Sequence, residues 1–211
     1  GMNNQLSLLD SEESPPDLPP GLIYEPAFIT QKEADGLLHE IDSAHEQWLN
    51  DLSRRVQHYG YKYDYMARRI NQSMRLGPLP VWVKNLGDTI NSFLVQNPNF
   101  TDHRPFDQAI INEYQPGQGI SAHIDCEPCF GPVVATLSLG SSAEMQFDHV
   151  QNNDRKTVLL EERSLAILTN ETRYEWQHSI PSRKSDPPLE THGKRILRKR
   201  RVSITYRTVI L

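Results

Sequence analysis

Arg201-Val202-Ser203-Ile204-Thr205-Tyr206-Arg207 has a period of two. Val202, Ile204 and Tyr206 fall on one face, and Arg201, Ser203, Thr205 and Arg207 on the other, which is the alternation of a β-strand. Two arginines pointing into a barrel would be costly unless an anion met them. A dicarboxylate could supply that anion, because a guanidinium binds carboxylate through two parallel hydrogen bonds. A half-exposed edge strand with its polar face in water explains the spacing equally well.

Upstream of this strand, from Phe106 onward, the chain reads as short strands. The candidates are Gln108–Tyr114, Ile120–Ile124, Val133–Leu139, Glu144–His149, Thr157–Leu160 and Leu165–Thr169, with Val202–Ile210 last. Pro116-Gly117, Gly140-Ser141-Ser142 and Asn152-Asn153-Asp154 mark turns between them. Two helices come earlier. Thr30 with Glu33 forms a capping-box pattern, and Ala34, Leu37, Leu38 and Ile41 follow at helical spacing, predicting a helix from about Gln31 to Ala44. Val81, Val83, Leu86, Ile90, Phe93 and Leu94 predict a second helix, ending near Asn97-Pro98. Helices followed by many short strands indicate an α+β domain with a β-sandwich or jelly-roll core. The tyrosine-rich stretch 54–65 suggests strands around a Gly60 turn. Residues 1–20, polar, acidic and proline-rich, read as a flexible tail, leaving 21–211 as one domain.

The formal charge, 22 − 27 = −5, argues against coating nucleic acid by charge alone, although a local basic patch would be compatible with it. No run of about 18 apolar residues predicts a membrane span. Gly1 before Met2 reads as a tag scar, and no secretory signal is visible. An intracellular protein, cytoplasmic or nuclear and not secreted, is therefore expected, acting as a monomer away from membranes. Its two cysteines, Cys126 and Cys129, would then be reduced.

His123 and Asp125 stand two apart in a predicted strand, so imidazole and carboxylate can converge. Such a pair often arises by chance. A third ligand has to come from elsewhere, and His178 in Trp176-Gln177-His178-Ser179 is the best source. Two histidines and a carboxylate on one face suit Fe(II) in a non-haem oxygenase. Zinc also accepts these ligands. Asn112 and Tyr114 share a face ahead of the Pro116-Gly117 turn and could hydrogen-bond a co-substrate, or simply form a strand.

In this order, Asn112-x-Tyr114 with Pro116-Gly117, His123-x-Asp125, Ser138-Leu139-Gly140-Ser141, His178 and Arg201-x-Ser203-x-Thr205-x-Arg207 resemble the AlkB family of Fe(II)/2-oxoglutarate dioxygenases. The resemblance covers residues 105–210, about half the chain. Ser203 stands where the family usually has Asn. The resemblance implies a double-stranded β-helix core with the N-terminal helices packed on one sheet. It implies Fe(II) on His123, Asp125 and His178, 2-oxoglutarate and O₂ as co-substrates, and Asn112, Tyr114, Arg201, Ser203 and Arg207 around 2-oxoglutarate, with Arg201 on its distal carboxylate. The products would be succinate, CO₂ and a hydroxylated carbon, and an N-methyl carbon would then leave as formaldehyde, repairing the base.

It further implies a DNA or RNA partner, residues 50–80 as a substrate lid, and Glu127, Arg55, Tyr61 and Tyr63 as substrate contacts. The segment from Arg54 to Tyr61 is similar to members acting on nucleic acid, including one linked to tRNA wobble-uridine modification. Between 192 and 201 the chain carries six cations, Lys194, Arg195, Arg198, Lys199, Arg200 and Arg201, and no acid. Of these, Lys194, Arg195 and Arg198 are expected to meet phosphate. The same chemistry on a protein or small molecule would not need these cations. A catalytically silent binding module would not need the iron and arginine motifs.

Overall fold

The first helix, α1 (Gln31–Ser43), starts at a reciprocal cap. Thr30 Oγ1 accepts the Glu33 N–H at 3.1 Å, and Glu33 Oε1 accepts the Thr30 N–H at 3.1 Å. The second, α2 (Val81–Leu94), starts after Pro80 and buries Val83, Leu86, Ile90 and Leu94. A computed structural model describes residues 17–211. The expected tail lies mostly outside them. Its last residues are held to the domain, since Pro20 O accepts the Thr172 N–H at 3.0 Å.

The described residues form twelve strands, among them the seven expected from Phe106 onward. They are β1 (Leu22–Glu25), β2 (Arg55–Tyr59), β3 (Gln108–Tyr114), β4 (Ile120–His123), β5 (Val134–Leu139), β6 (Ala143–His149), β7 (Arg155–Leu160), β8 (Leu165–Leu168), β9 (Trp176–Ile180), β10 (Ser185–Asp186), β11 (Ile196–Leu197) and β12 (Arg201–Arg207). A one-turn helix, α3 (Asn170–Tyr174), leads into β9. Six strands form one antiparallel sheet in the order β1-β8-β5-β12-β3-β2, and four form another, β4-β9-β6-β7. The two sheets are the halves of a jelly roll.

The alternation in β12 separates two cores. Val202, Ile204 and Tyr206 pack with Val83, Ile90 and Leu94, so both helices cover the outer face of the six-stranded sheet. Each fully buried aliphatic side chain there contributes roughly 1.5–3 kcal/mol. Tyr206 donates to Val83 O at 2.6 Å. Its ring needs Gly87, where a Cβ would stand 2.9 Å from Tyr206 Cε1. Between the sheets, Val134, Met145, Phe147, Leu160, Leu168, Trp176 and Ile180 form the second core. Pairing of β12 with both β3 and β5 puts it inside the sheet, so the water-facing edge-strand reading of its polar face does not hold.

Some expected boundaries move. β4 ends at His123, so Asp125 stands in the following loop instead of the strand. β12 ends at Arg207. Gly60 makes its turn with φ +79°, where a Cβ would meet Asp107 O at 2.0 Å. No second regular strand follows that turn. Tyr61 and Asp64 make isolated bridges to Arg75 and Arg69. In the expected 50–80 lid, then, β2 belongs to the large sheet, and the arch of residues 60–80 that follows packs Tyr61 and Tyr63 against Ile110, Phe130 and Val209.

Candidate active site

Strand pairing brings the histidines together. In the β4–β9 register His123 lies opposite His178, and their ring centroids are 4.3 Å apart. Asp125, two residues on, turns back toward both. Its Oδ1 is 3.4 Å from His123 Nε2 and 3.3 Å from His178 Nε2. Two ligand atoms about 2.1 Å from one metal ion and near right angles stand about 3 Å apart, close to this spacing. His123 Nδ1 lies 2.7 Å from Ser121 O, so that nitrogen carries the proton and Nε2 presents a lone pair. Oδ1 has no hydrogen-bond partner among the described residues. Acceptors facing one another this closely call for a cation between them.

The electrostatics agree. Burial alone would push the Asp125 carboxyl up, but the Arg207 guanidinium and the two imidazoles outweigh it and hold it well below its ordinary value. Arg207 grips the other oxygen, Oδ2, through Nε at 2.7 Å and Nη2 at 2.6 Å. Burial pushes His178 down, toward the neutral form that ligates metal. His123, Asp125 and His178 thus offer three ligand atoms within 4.8 Å of one another, and the donor set fits a divalent metal with its far side open.

Behind the triad lies a narrow cavity of about 50 Å³, whose walls include Asn112, Tyr114, Arg201, Ser203, Thr205 and Arg207. Arg201 is 3% exposed, and its guanidinium lies 5.5 Å from the Tyr114 ring centre. Its Nη2 donates to Ser138 Oγ at 2.8 Å, while Nε and Nη1 have no partner among the described residues. Burial lowers its pKa. A buried fork with two idle donors and no carboxylate fits an anionic guest. Asn112 Oδ1 accepts from Arg54 Nε at 2.8 Å.

In front of the triad a wider cavity of about 710 Å³ opens. Tyr63, one of the expected substrate contacts, lines it together with Arg54, Tyr65, Arg68 and Gln146. Other expected contacts lie elsewhere. Arg55 makes two hydrogen bonds to Glu113, at 2.7 and 2.8 Å, and lies over Trp48. Tyr61 is buried in the cluster with Ile110 and Phe130. Glu127 is exposed on the loop and does not line this cavity.

The basic run is also differently placed. Arg198 is buried and bonded twice to Asp186, at 2.8 Å each. Arg195 donates to Ser185, Lys199 to Glu162, and Arg200 to Glu113 and Asp42. Lys194 is exposed. The run has no acid of its own, yet acids from other elements neutralise three of its six cations, Arg198, Lys199 and Arg200.

Sequence reasoning missed Arg54, Tyr65 and Arg68. Arg54 differs from Arg55 by one position of a strand edge, and only the β2–β3 register decides which reaches the cavity. Arg68 Nη2 donates to Ile124 O at 3.0 Å, joining the arch to the loop of Asp125. Cys126 and Cys129 in that loop are joined as a disulfide, against the expected reduced pair.

The profile of the 2OG-Fe(II) oxygenase superfamily matches residues 21–207. An alkylated DNA repair protein ALKBH8 homolog of Arabidopsis thaliana is 35% identical, over 97% of this chain and 61% of its own length. The tRNA (carboxymethyluridine(34)-5-O)-methyltransferase ALKBH8 of Macaca fascicularis is 37% identical over 83% of this chain and 26% of its own length. The chain thus spans only part of these relatives. Protein L905 of Acanthamoeba polyphaga mimivirus is 35% identical over 87% of this chain and 82% of its own. Among solved structures, OsALKBH1 superposes with a TM-score of 0.63 at 20% identity, covering 90% of this chain and 98% of that one. A Pseudomonas putida prolyl-4-hydroxylase superposes at 0.56 and 13% identity, over 89% and 92% of the two chains, and so shares the fold. This chain belongs to the 2OG-Fe(II) oxygenase superfamily, within its AlkB family.

Proposed function

We propose that this 2-oxoglutarate-dependent dioxygenase oxidises a C–H bond on a base of DNA or RNA. His123, Asp125 and His178 would hold Fe(II). Arg201 would bind the distal carboxylate of 2-oxoglutarate with its idle Nε and Nη1, with Asn112, Tyr114, Ser203 and Arg207 around the rest. Bound there, the metal would supply O₂ activation, coupling hydroxylation of the substrate carbon to conversion of 2-oxoglutarate into succinate and CO₂. Arg207 keeps Asp125 charged and, by holding Oδ2, leaves Oδ1 facing the two imidazoles, where it would ligate the metal.

The observation that carries the nucleic-acid reading is the 710 Å³ cavity between arch and triad. It falls in the size range of small-molecule sites. Its rim brings Tyr63 and Tyr65 beside Arg54 and Arg68, the pairing of aromatic faces with cations that holds an extruded base and its phosphate. Two relatives are named for alkylated-DNA repair and for tRNA uridine modification, which supports this reading.

Charge favours one kind of base. Alkylation at a ring nitrogen of adenine or cytosine leaves a cation. The cavity offers it three arginines, Arg54, Arg68 and Arg207, and a single carboxylate, Asp125, already engaged. Glu127 is not among its walls. The walls therefore suit a neutral or acid-bearing pyrimidine, and hydroxylation of a modified uridine is the reading we favour over repair of cationic lesions. Mass spectrometry of oligonucleotides after incubation with Fe(II) and 2-oxoglutarate tests it. One set should carry 1-methyladenine or 3-methylcytosine, and the other a 5-substituted uridine. A gain of one oxygen on uridine supports this reading, and loss of a methyl group only from cationic bases reverses it. Succinate without any change in base mass would move the substrate to protein or small molecules.

A further inference from the structure

One buried cation beside the triad is used by neither metal nor co-substrate. Arg173, in α3, is 1% exposed. Its guanidinium lies 4.7 Å from the Tyr174 ring centre and donates to four main-chain carbonyls. Nε reaches Gly131 O at 3.0 Å, and Nη1 reaches Asp125 O at 2.8 Å. Nη2 is shared between Cys126 O at 3.3 Å and Phe130 O at 3.2 Å. These carbonyls are the two ends of the loop 125–131. Arg173 also stands five residues before His178, on the turn that feeds β9. One side chain therefore ties the loop bearing the carboxylate ligand to the strand bearing a histidine ligand.

Burying a charge without a carboxylate partner is unfavourable, and an apolar side chain would fill the same space at less cost. What arginine adds is a planar fork of five donors with fixed directions. Two of its bonds fall on Asp125 and its neighbour, so they set the main chain from which the Asp125 carboxylate projects. We propose that Arg173 is a positioning residue that holds Asp125 in its metal-ready orientation before the metal arrives. This rests on the reading of His123, Asp125 and His178 as the metal site.

Titration of the metal-free protein with Co(II), read by visible ligand-field absorption, tests it without turnover. Arg173→Met should weaken Co(II) binding by roughly 10–100-fold, as loss of outer partners does at metal sites. Arg173→Lys, with three donors from one point, should fall between. A purely structural role would lower the unfolding midpoint in EDTA and leave the Co(II) dissociation constant of the folded variants unchanged, which overturns the proposal. If Arg173→Met does not fold, Arg173→Lys decides. Hydrogen exchange of the unaltered protein gives an independent reading. The Cys129 and Phe130 amides, both bonded to Cys126 O, should be protected equally with and without Co(II). A loop that becomes protected only on metal binding would sink the idea of a preset ligand. Absence of any Co(II) binding by the unaltered protein would instead remove the metal site itself.

Discussion

Arg201 and His58 are buried for opposite reasons, and each gives a prediction. Arg201 keeps Nε and Nη1 without a protein partner in a buried cavity, an arrangement that adds little stability until an anion enters. Replacing it with Gln should weaken 2-oxoglutarate binding by about 3 kcal/mol, roughly 100-fold, the worth of hydrogen bonds to a charged group. Calorimetry with Mn(II) under nitrogen measures this, and the urea midpoint should fall little, because an unpaired cation is removed. His58 accepts the Tyr63 N–H on Nδ1 at 3.3 Å, which needs a neutral ring. Burial pushes its pKa down to about 4, helped by Lys62 and Arg207. The unfolded chain then binds a proton that the folded one refuses, so stability is lost as pH falls from about 6.5 toward 4. The loss is up to about 3 kcal/mol, from a depression of about 2.5 units. Urea unfolding at pH 7 and pH 5 should show a smaller drop in His58→Gln than in the parent chain. Equal drops would mean that His58 does not contribute.

At the scale of elements, a strand reveals which residues share a face but not what lies opposite. The alternation in β12 was legible because all seven residues follow it, and β3 was legible at both ends. β9 was not expected as a strand, since Trp176 and Ile180, its buried ends, enclose only three residues. The register of β2 against β3 could not be read either, and it exchanges Arg54 for Arg55. The basic run misled for the same reason. Its partners, Asp42, Glu113, Glu162 and Asp186, come from four other parts of the chain. Nucleic-acid affinity should therefore depend on the arch. Replacing Arg68 and Arg69 together with Ala should lower the salt dependence of oligonucleotide binding by up to about two phosphate contacts, near 0.9 each for duplex and 0.7 for single strands. Replacing Lys199 and Arg200, whose charges Glu162, Glu113 and Asp42 already meet, should change it little. Fluorescence anisotropy across a salt series separates the two, and the reverse ranking would restore the loop as the phosphate contact.

For the whole molecule, the metal site joins parts that the cores do not hold together strongly. Helices and large sheet share one core, and the space between the sheets holds another. The triad stands at the rim of the second, where β4 is only four residues long and its pairing with β9 is interrupted between Ile120 and His123. A cation bonded to β4, to β9 and to the loop of Asp125 closes that gap. Unfolding separates the three ligands and forfeits the binding energy, so stability should rise with metal concentration. At 100 times the dissociation constant the gain is about 2.7 kcal/mol. For a domain of this size that moves the midpoint by about 5–10 °C. Thermal unfolding with Mn(II) under nitrogen, set against EDTA, should show this shift. Asp125→Asn should lose most of it, because the neutral amide is a poor ligand. Should Asp125→Asn keep the full shift, Mn(II) would be acting somewhere other than the three residues that β4, β9 and the intervening loop bring together.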